Sequence, residues 1–123
     1  MMLCVHRLKR ILIACILLSS YAETLPAYTT SVWDNAAGNY LWTNAANWNP
    51  DGTLTTSVIA RINSECSQAN PVLLTGGDAG YTYSLNMGST ASDSGYLKVD
   101  NGYLTNGVQA TTYIGNAGTG WVH

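Results

Sequence analysis

The sequence has no phenylalanine and few charged residues, and both shortages limit what the chain can be. Charged side chains make up 10% of the 123 residues, and the aromatic residues are eight tyrosines and four tryptophans. Tyrosine and tryptophan each keep a polar end that needs a partner or water. This usage suits a β protein with half-exposed faces better than a densely packed α/β enzyme, and the chain length allows one modest core.

Histidine and cysteine are also scarce, which restricts catalysis and metal binding. After position 22 the only histidine is His123 and the only cysteine is Cys66. Nucleophilic catalysis by a Ser–His or Cys–His pair and a zinc site of three or four ligands both need more. Asp93 and Asp100 flank one predicted strand and could form a carboxylate pair, but acids beside glycine are ordinary turn residues. The sequence therefore predicts no catalytic residue, no metal and no cofactor.

The amino-terminal segment, positions 1–22, has the order of a secretory signal peptide. A basic stretch precedes the unbroken apolar run Ile11–Leu18, and Ser20 and Ala22 place small residues before a cut at Glu23. A membrane anchor would need about 20 apolar residues. A lipoprotein signal with its lipobox at Leu12–Cys15 is the other alternative. We expect an exported protein, secreted or at the cell surface, with no stable transmembrane segment.

The remaining chain is acidic and holds one thiol. Seven acidic residues face only two basic ones, Arg61 and Lys98. Nucleic acid or an anionic membrane would require a basic surface, so both are disfavoured as partners. One thiol cannot form an intrachain disulfide. We expect Cys66 to be a small buried apolar side chain, with a bridge to another chain or to further sequence as the alternative.

Short apolar runs alternate with glycines in the last third of the chain. Two blocks look alike, because Gly88 and Gly95 in the first correspond to Gly115 and Gly120 in the second. The offset is 27 residues from Gly88 to Gly115 and 25 residues from Gly95 to Gly120, a plausible length for one turn of a β-solenoid. We expect these glycines to lie between strands, where the backbone reverses or takes a positive φ.

The rest of the chain also predicts strands rather than helices. Ser57–Ile62 and Pro71–Thr75 are short runs rich in branched side chains. The stretch Tyr81–Met87 alternates, which predicts one strand with its tyrosines, Leu85 and Met87 on a single buried face. No convincing amphipathic helix follows the leader, so the chain is predicted to be all-β.

Aromatic residues cluster before Pro50, at Trp33, Tyr40, Trp42 and Trp48. One interpretation is an N-terminal cap in which the indoles close the open end of a solenoid core, because a solenoid must hide its first turn. The other is a ligand-binding surface on which sugar rings stack against these four side chains. We favour the cap.

The motif Trp42–Trp48 (WTNAANW), with Trp33 before it, and the run Tyr113–Gly120 (YIGNAGTG) resemble a group of bacterial exported proteins. These are β-helical surface proteins related to autotransporter passenger repeats, many of which end in a PEP-CTERM sorting tail. Members usually show a proline and an aspartate where this chain has Thr53–Thr56, and the sorting tail has no counterpart. The resemblance implies a right-handed parallel β-helix exposed at or beyond the cell envelope, and it supplies no catalytic residues.

Together these patterns predict three regions: a signal peptide (1–22), a Trp-rich cap (23–56) and β-solenoid strands (57–123). The predicted fold is a right-handed parallel β-helix, with an antiparallel β-sandwich as the alternative. The repeat length leaves room for about two full turns after the cap, and solenoids generally need about three or more. We therefore expect the chain to pair with the rest of a longer protein or with another copy through an open β edge.

The predicted function is that of a structural or adhesive surface protein without catalysis. Two alternatives stay open. One is a carbohydrate-binding module that recognises extracellular polysaccharide or envelope components through the tryptophans. The other is the non-catalytic beginning of a β-helical polysaccharide lyase.

Overall fold

The computed structural model describes residues 27–108 and 110–123, and these are built almost entirely from β-strands. The predicted signal peptide, positions 1–22, lies outside them. The strands are β1 (Thr29–Trp33), β2 (Trp48–Asn49), β3 (Val58–Ile62), β4 (Val72–Thr75), β5 (Ala79–Thr82), β6 (Ser84–Met87), β7 (Ser94–Asp100), β8 (Tyr103–Asn106), β9 (Tyr113–Ile114) and β10 (Thr119–Val122). One 3₁₀ turn, Ala45–Asn47, precedes β2. Among the described residues, no helix has the length and apolar character needed to cross a bilayer.

The strands coil into a parallel β-solenoid of about four turns. The first sheet holds β1, β3, β6 and β9 side by side, with β2 added antiparallel to β1. The second sheet holds β4, β7 and β10, and the third holds β5 and β8. We call each turn of the coil a rung. The predicted parallel stacking is confirmed, and an antiparallel sandwich is excluded.

The register reproduces the spacing of the sequence repeat. In the first sheet Ile62 pairs with Met87, and Met87 with Ile114. In the second sheet Val72 pairs with Leu97, which also pairs with Val122. Each step along the chain therefore equals one of the two offsets that separate the repeated glycines. These two columns of apolar side chains point inward and form much of the core.

The solenoid begins earlier than the predicted boundary at position 57. Strand β1 pairs in parallel with β3, matching Thr29 to Val58. A parallel bridge also joins Leu41 to Leu73 in β4. Residues 27–56 thus form a first rung as well as a cap. The sequence did not predict this rung, because the step from Thr29 to Val58 is longer than the glycine repeat and no repeated glycine marks it.

The predicted strand over residues 81–87 is broken by a corner at Tyr83. Strand β5 ends before this corner and β6 starts after it, so the alternation of inward and outward side chains shifts there. Thr82 and Ser84 are buried, whereas Tyr81 is 40% exposed. The Thr82 hydroxyl lies 2.7 Å from the carbonyl oxygen of Val58, which satisfies a polar group inside the core. The predicted buried face was wrong at this corner.

The four repeat glycines have two different roles. Gly88 and Gly115 follow β6 and β9 with φ of 61° and 66°, a conformation that favours glycine. Gly95 and Gly120 instead pair with each other inside β7 and β10. A Cβ on Gly95 would overlap the carbonyl oxygen of Ile62, so this glycine allows the sheets to approach closely. The prediction of a turn was correct for the first pair and wrong for the second.

Candidate functional site

The three tryptophans proposed for sugar stacking lie in the core. Trp33, Trp42 and Trp48 are 1%, 3% and 0% exposed. The Trp48 ring makes edge contacts with Trp33 (centroids 5.2 Å apart) and with Trp42 (4.9 Å). Its Nε1 donates a hydrogen bond of 2.9 Å to the carbonyl oxygen of Trp42. These indoles present no free ring face, so in this structure they form the closed end of the solenoid.

Asn47 fixes the loop that carries this indole cluster. Its side chain is fully buried. The amide nitrogen donates to the carbonyl oxygen of Leu41 (3.0 Å) and to Oδ1 of Asn39 (2.7 Å). Its Oδ1 accepts from the N–H of Ala37 at 3.0 Å. Both amide hydrogens and the amide oxygen are therefore used, and they tie together both sides of the loop between β1 and β2.

Tyr40 is the predicted binding residue that reaches the surface. It is half-buried, and its backbone has a φ of 58°. Its N–H donates to Oδ1 of Asn35 (3.1 Å), and its carbonyl oxygen accepts from the N–H of Leu73 (2.8 Å). A left-handed conformation costs a residue with a Cβ about 1–3 kcal/mol. These two hydrogen bonds hold Tyr40 in that conformation.

A groove crosses the rungs on the outer face of the second sheet, and we call it the axial groove. Its volume is about 320 Å³, and it is lined by Tyr40, Gln68, Ala69, Asn70, Pro71, Leu73, Lys98 and Trp121. Tyr40 belongs to the first rung, Leu73 to the second, Lys98 to the third and Trp121 to the fourth. Rungs are spaced about 4.8 Å apart, so the two aromatic residues are separated by roughly 14 Å along the axis.

Trp121 is the aromatic residue at the far end of the axial groove, and sequence reasoning did not select it. Its ring is half-buried and stacks on the His123 imidazole, with centroids 5.3 Å apart and planes 7° apart. The Tyr96 ring, one rung earlier, is tilted against the indole with centroids 6.3 Å apart. These contacts restrict the orientation of the indole. The sequence feature that could have identified Trp121 is its offset from Tyr96, which equals the offset from Gly95 to Gly120.

The axial groove carries little charge. Lys98 is the charged residue in its lining, and its Nζ lies 3.2 Å from Oδ2 of Asp100. Both side chains are exposed, so the pair adds little stability, but it offsets the lysine charge. Gln68 and Asn70 contribute amide groups, which both donate and accept hydrogen bonds. The groove therefore combines aromatic surface with neutral polar groups.

The fourth rung, formed by β9 and β10, is open on its outer side. Ile114 and Val122 continue the two inward columns, yet they are 50% and 43% exposed. Met87 and Leu97, one rung earlier in the same columns, are 0% and 1% exposed. Both β9 and β10 are the last strands of their sheets. None of the residues that the structure describes therefore covers the core at this end.

Acidic residues proposed as a carboxylate pair have local partners. Asp93 accepts a hydrogen bond of 2.8 Å from the N–H of Thr90, as in a turn. Asp100 is the partner of Lys98. Within residues 27–108 and 110–123, no group of three or more His, Cys, Asp or Glu could hold a metal ion.

Cys66 lies half-buried between the second and third rungs. The N–H of Tyr96 donates to its Sγ at 3.4 Å, and the carbonyl oxygen of Ser94 is 3.8 Å away. Burial raises the pKa of the Cys66 thiol, and the hydrogen bond from Tyr96 opposes this shift. The thiol is therefore uncharged at neutral pH and packs against the core, although Cys66 is half-buried and not fully buried as expected.

Comparisons with protein-family models, curated proteins and solved structures found no match to this chain. The resemblance to exported β-helical surface proteins stays a prediction from the motifs. The function of the chain is therefore inferred from the shape and chemistry of its own surfaces.

Proposed function

We propose that the chain is a structural, adhesive β-solenoid of an exported, cell-surface protein, and that it acts by contact rather than by catalysis. The observation that carries this proposal is the open fourth rung. A solenoid with one closed end and one open end is a building unit, because its open end needs a partner to complete the core. Export follows from the signal-like order of positions 1–22.

The open edge lacks the features that usually protect edge strands. Natural edges are blunted by charged side chains, proline, bulges or a covering segment. Positions 107–122 include no Asp, Glu, Lys, Arg or proline. Ile114 and Val122 present apolar surface beside the unpaired strand edges. A partner that supplies a strand edge and an apolar face would pair with the open strand edges and cover the apolar surface.

The open rung of a second copy is one partner that fits this edge. The closed end is unsuitable, because β2 forms its outer edge and the indoles fill its core. Head-to-tail stacking of copies would need both ends open. Pairing of two open rungs about a two-fold axis gives a closed dimer instead of a fibre. A rung from a longer chain would use the same edge.

Sedimentation velocity over a wide concentration range tests the assembly. We expect a reversible dimer for the purified chain. Ile114→Lys and Val122→Lys should be monomeric, because a buried unpaired charge is costly. Val32→Lys is the matched control, since Val32 is 37% exposed on β1 at the closed end. A monomer with a fully protected fourth rung would contradict self-association, as would a dimer that Ile114→Lys leaves intact.

Export has its own test. The chain, expressed with its own amino terminus in a bacterial host, should be recovered outside the cytoplasm with a mature terminus at Glu23. Intact-mass measurement reads the cleavage site directly. Recovery in the cytoplasm with positions 1–22 still attached would contradict the exported location without affecting the assembly proposal.

A further inference from the structure

We propose that the axial groove binds a neutral polysaccharide strand that lies along the solenoid axis between Tyr40 and Trp121. The proposal goes beyond the structural role, because the groove lies on the outer face of the second sheet and reaches the open edge only at Trp121 in β10. It also differs from the sequence-based suggestion of a Trp33–Trp42–Trp48 surface, since those indoles are buried.

The first observation is the aromatic residue at each end of the groove. Sugar rings have apolar C–H faces, and flat aromatic side chains offer matching surface with a polar end for orientation. Tyr40 and Trp121 are both half-buried, so each exposes part of its ring while its base is held by neighbours. Their separation of roughly 14 Å, three rung spacings, suits an extended oligosaccharide better than one sugar ring.

The second observation is the backbone of Tyr40. A non-glycine residue in the left-handed region is strained, and such strain is often found at binding sites. Here the strain is maintained by hydrogen bonds with Asn35 and Leu73, and it brings the tyrosine to the groove. Asn35, Glu65 and Asn101 also have a positive φ, so what distinguishes Tyr40 is that its side chain lines the groove.

The third observation is the type of polar group between the two rings. Amides of Gln68 and Asn70 can donate to and accept from hydroxyl groups. Lys98 lies 3.2 Å from Asp100, so the adjacent carboxylate offsets the positive charge in the groove. Acidic polysaccharides would need an electropositive groove, and this one is close to neutral. The ligand class is therefore a neutral polysaccharide.

The groove also has a repeating character. Each of the four rungs contributes at least one lining residue, and the second rung adds the loop of residues 68–71. A polymer with a repeating unit can contact such a surface at several points, and linked weak contacts raise overall affinity. The second large groove, of about 410 Å³, is less suitable because its Tyr28 and Tyr83 rings lie only 3.6 Å apart and form one aromatic contact instead of two separated ones.

The test measures binding of the full chain to defined glycans by isothermal titration calorimetry and affinity gel electrophoresis. The neutral probes are cello-, manno- and xylo-oligosaccharides and their parent polysaccharides, and the acidic probe is polygalacturonate. We expect at least one neutral series to bind, with affinity rising with chain length. Trp121→Ala and Tyr40→Ala should each weaken it about tenfold or more, a loss of about 1.4 kcal/mol.

Two further variants separate ligand contact from folding. Tyr40→Gly removes the ring but accepts the left-handed backbone, so it should fold normally and still lose binding. Tyr103→Ala removes a 53% exposed tyrosine from β8, outside the groove, and should bind like the parent chain. Absence of binding to every neutral probe, tighter binding of polygalacturonate, or full binding by Tyr40→Gly and Trp121→Ala would overturn the proposal.

The outcome is independent of the assembly proposal. Ile114→Lys should break the dimer yet keep glycan binding, because Ile114 lies in the first sheet and outside the groove. Loss of glycan binding in the groove variants with an unchanged dimer would support the groove alone. A dimer that binds no neutral glycan would overturn the groove and leave the structural role standing.

Discussion

The two ends of the solenoid are built from the same kinds of strand, but one end is capped and the other is exposed. At the first end, β2 runs antiparallel beside β1, and Trp33 and Trp48 are at most 1% exposed. At the second end, Ile114 is 50% exposed although Met87, its register partner, is fully buried. Burial of a side chain in this fold therefore depends on whether a further layer covers its rung.

This contrast has an energetic consequence. In a solenoid each rung contacts only its neighbours, so stability is approximately a sum of rung and interface contributions. An inner rung has two interfaces, whereas the fourth rung has one. The cap supplies the missing interface at the first end, and nothing among the described residues does so at the second. The following substitutions test that difference.

The largest effect is expected for Trp48→Ala at the closed end. This indole is fully buried, contacts two other indoles and donates a hydrogen bond inside the core. Its loss should lower the free energy of unfolding by about 3–5 kcal/mol. Trp121→Ala at the open end is the matched control and should cost about 1 kcal/mol or less. Urea unfolding followed by circular dichroism measures both, and equal losses would remove the distinction between the ends.

The next test compares one column at two rungs. Met87→Ala should cost about 2–5 kcal/mol, because it leaves a cavity between two rungs. Ile114→Ala should cost about 1 kcal/mol or less when measured on the monomer at low protein concentration, because half of its side chain is already in water. A loss at Ile114 as large as that at Met87 in the monomer would mean that the fourth rung is covered.

Asn47→Ala should weaken the closed end through lost hydrogen bonds. Removal of the amide leaves the carbonyl oxygen of Leu41 and the N–H of Ala37 without their partner. We expect a loss of about 1–3 kcal/mol. Asn49→Ala, at an exposed position in β2, is the control and should be nearly neutral. Thermal unfolding compares the two, and similar melting temperatures would show that the buried amide is not needed.

The smallest effect is a dependence on alkaline pH at Cys66, between the two ends. Burial raises the pKa of this thiol, so the folded state holds the proton more tightly than the unfolded state does. Its contribution to stability should be complete below the unfolded-state pKa and should be lost as the pH rises through the folded-state pKa. Cys66→Ala should lack this component, and the difference between the two pH profiles isolates it from tyrosine ionisation. Identical profiles would contradict the assignment.

Much of the fold could be predicted from the last third of the sequence, because its repeat is visible in the letters. Gly88 and Gly115 recur one rung apart, and the structure places them at equivalent turns. The first rung could not be predicted in this way, since β1 and β3 share no glycine pattern. The corner at Tyr83 was missed because strict alternation continues through it, and only the contacts of Thr82 reveal the bend.

The candidate sites were less accessible to sequence reasoning. The indoles could be assigned either to a cap or to a surface, and only their burial distinguishes the two. Tyr40 was selected as an aromatic neighbour of Trp42, but its partner Trp121 comes from the last strand, three rungs away. Which residues the coil brings together can be predicted only when the strand register is known. With the register known, the outward-facing residues of successive rungs could be aligned, and this alignment would predict the groove.

Hydrogen exchange measured by mass spectrometry at several protein concentrations tests the central contrast most directly. We expect amides of β1 and β3, near the closed end, to be protected at every concentration. Amides of β9 and β10 should exchange quickly in dilute solution and become protected as the concentration rises and the open rungs pair. Protection of β9 and β10 that is high and independent of concentration would contradict an open end, and fast exchange at all concentrations would contradict its pairing.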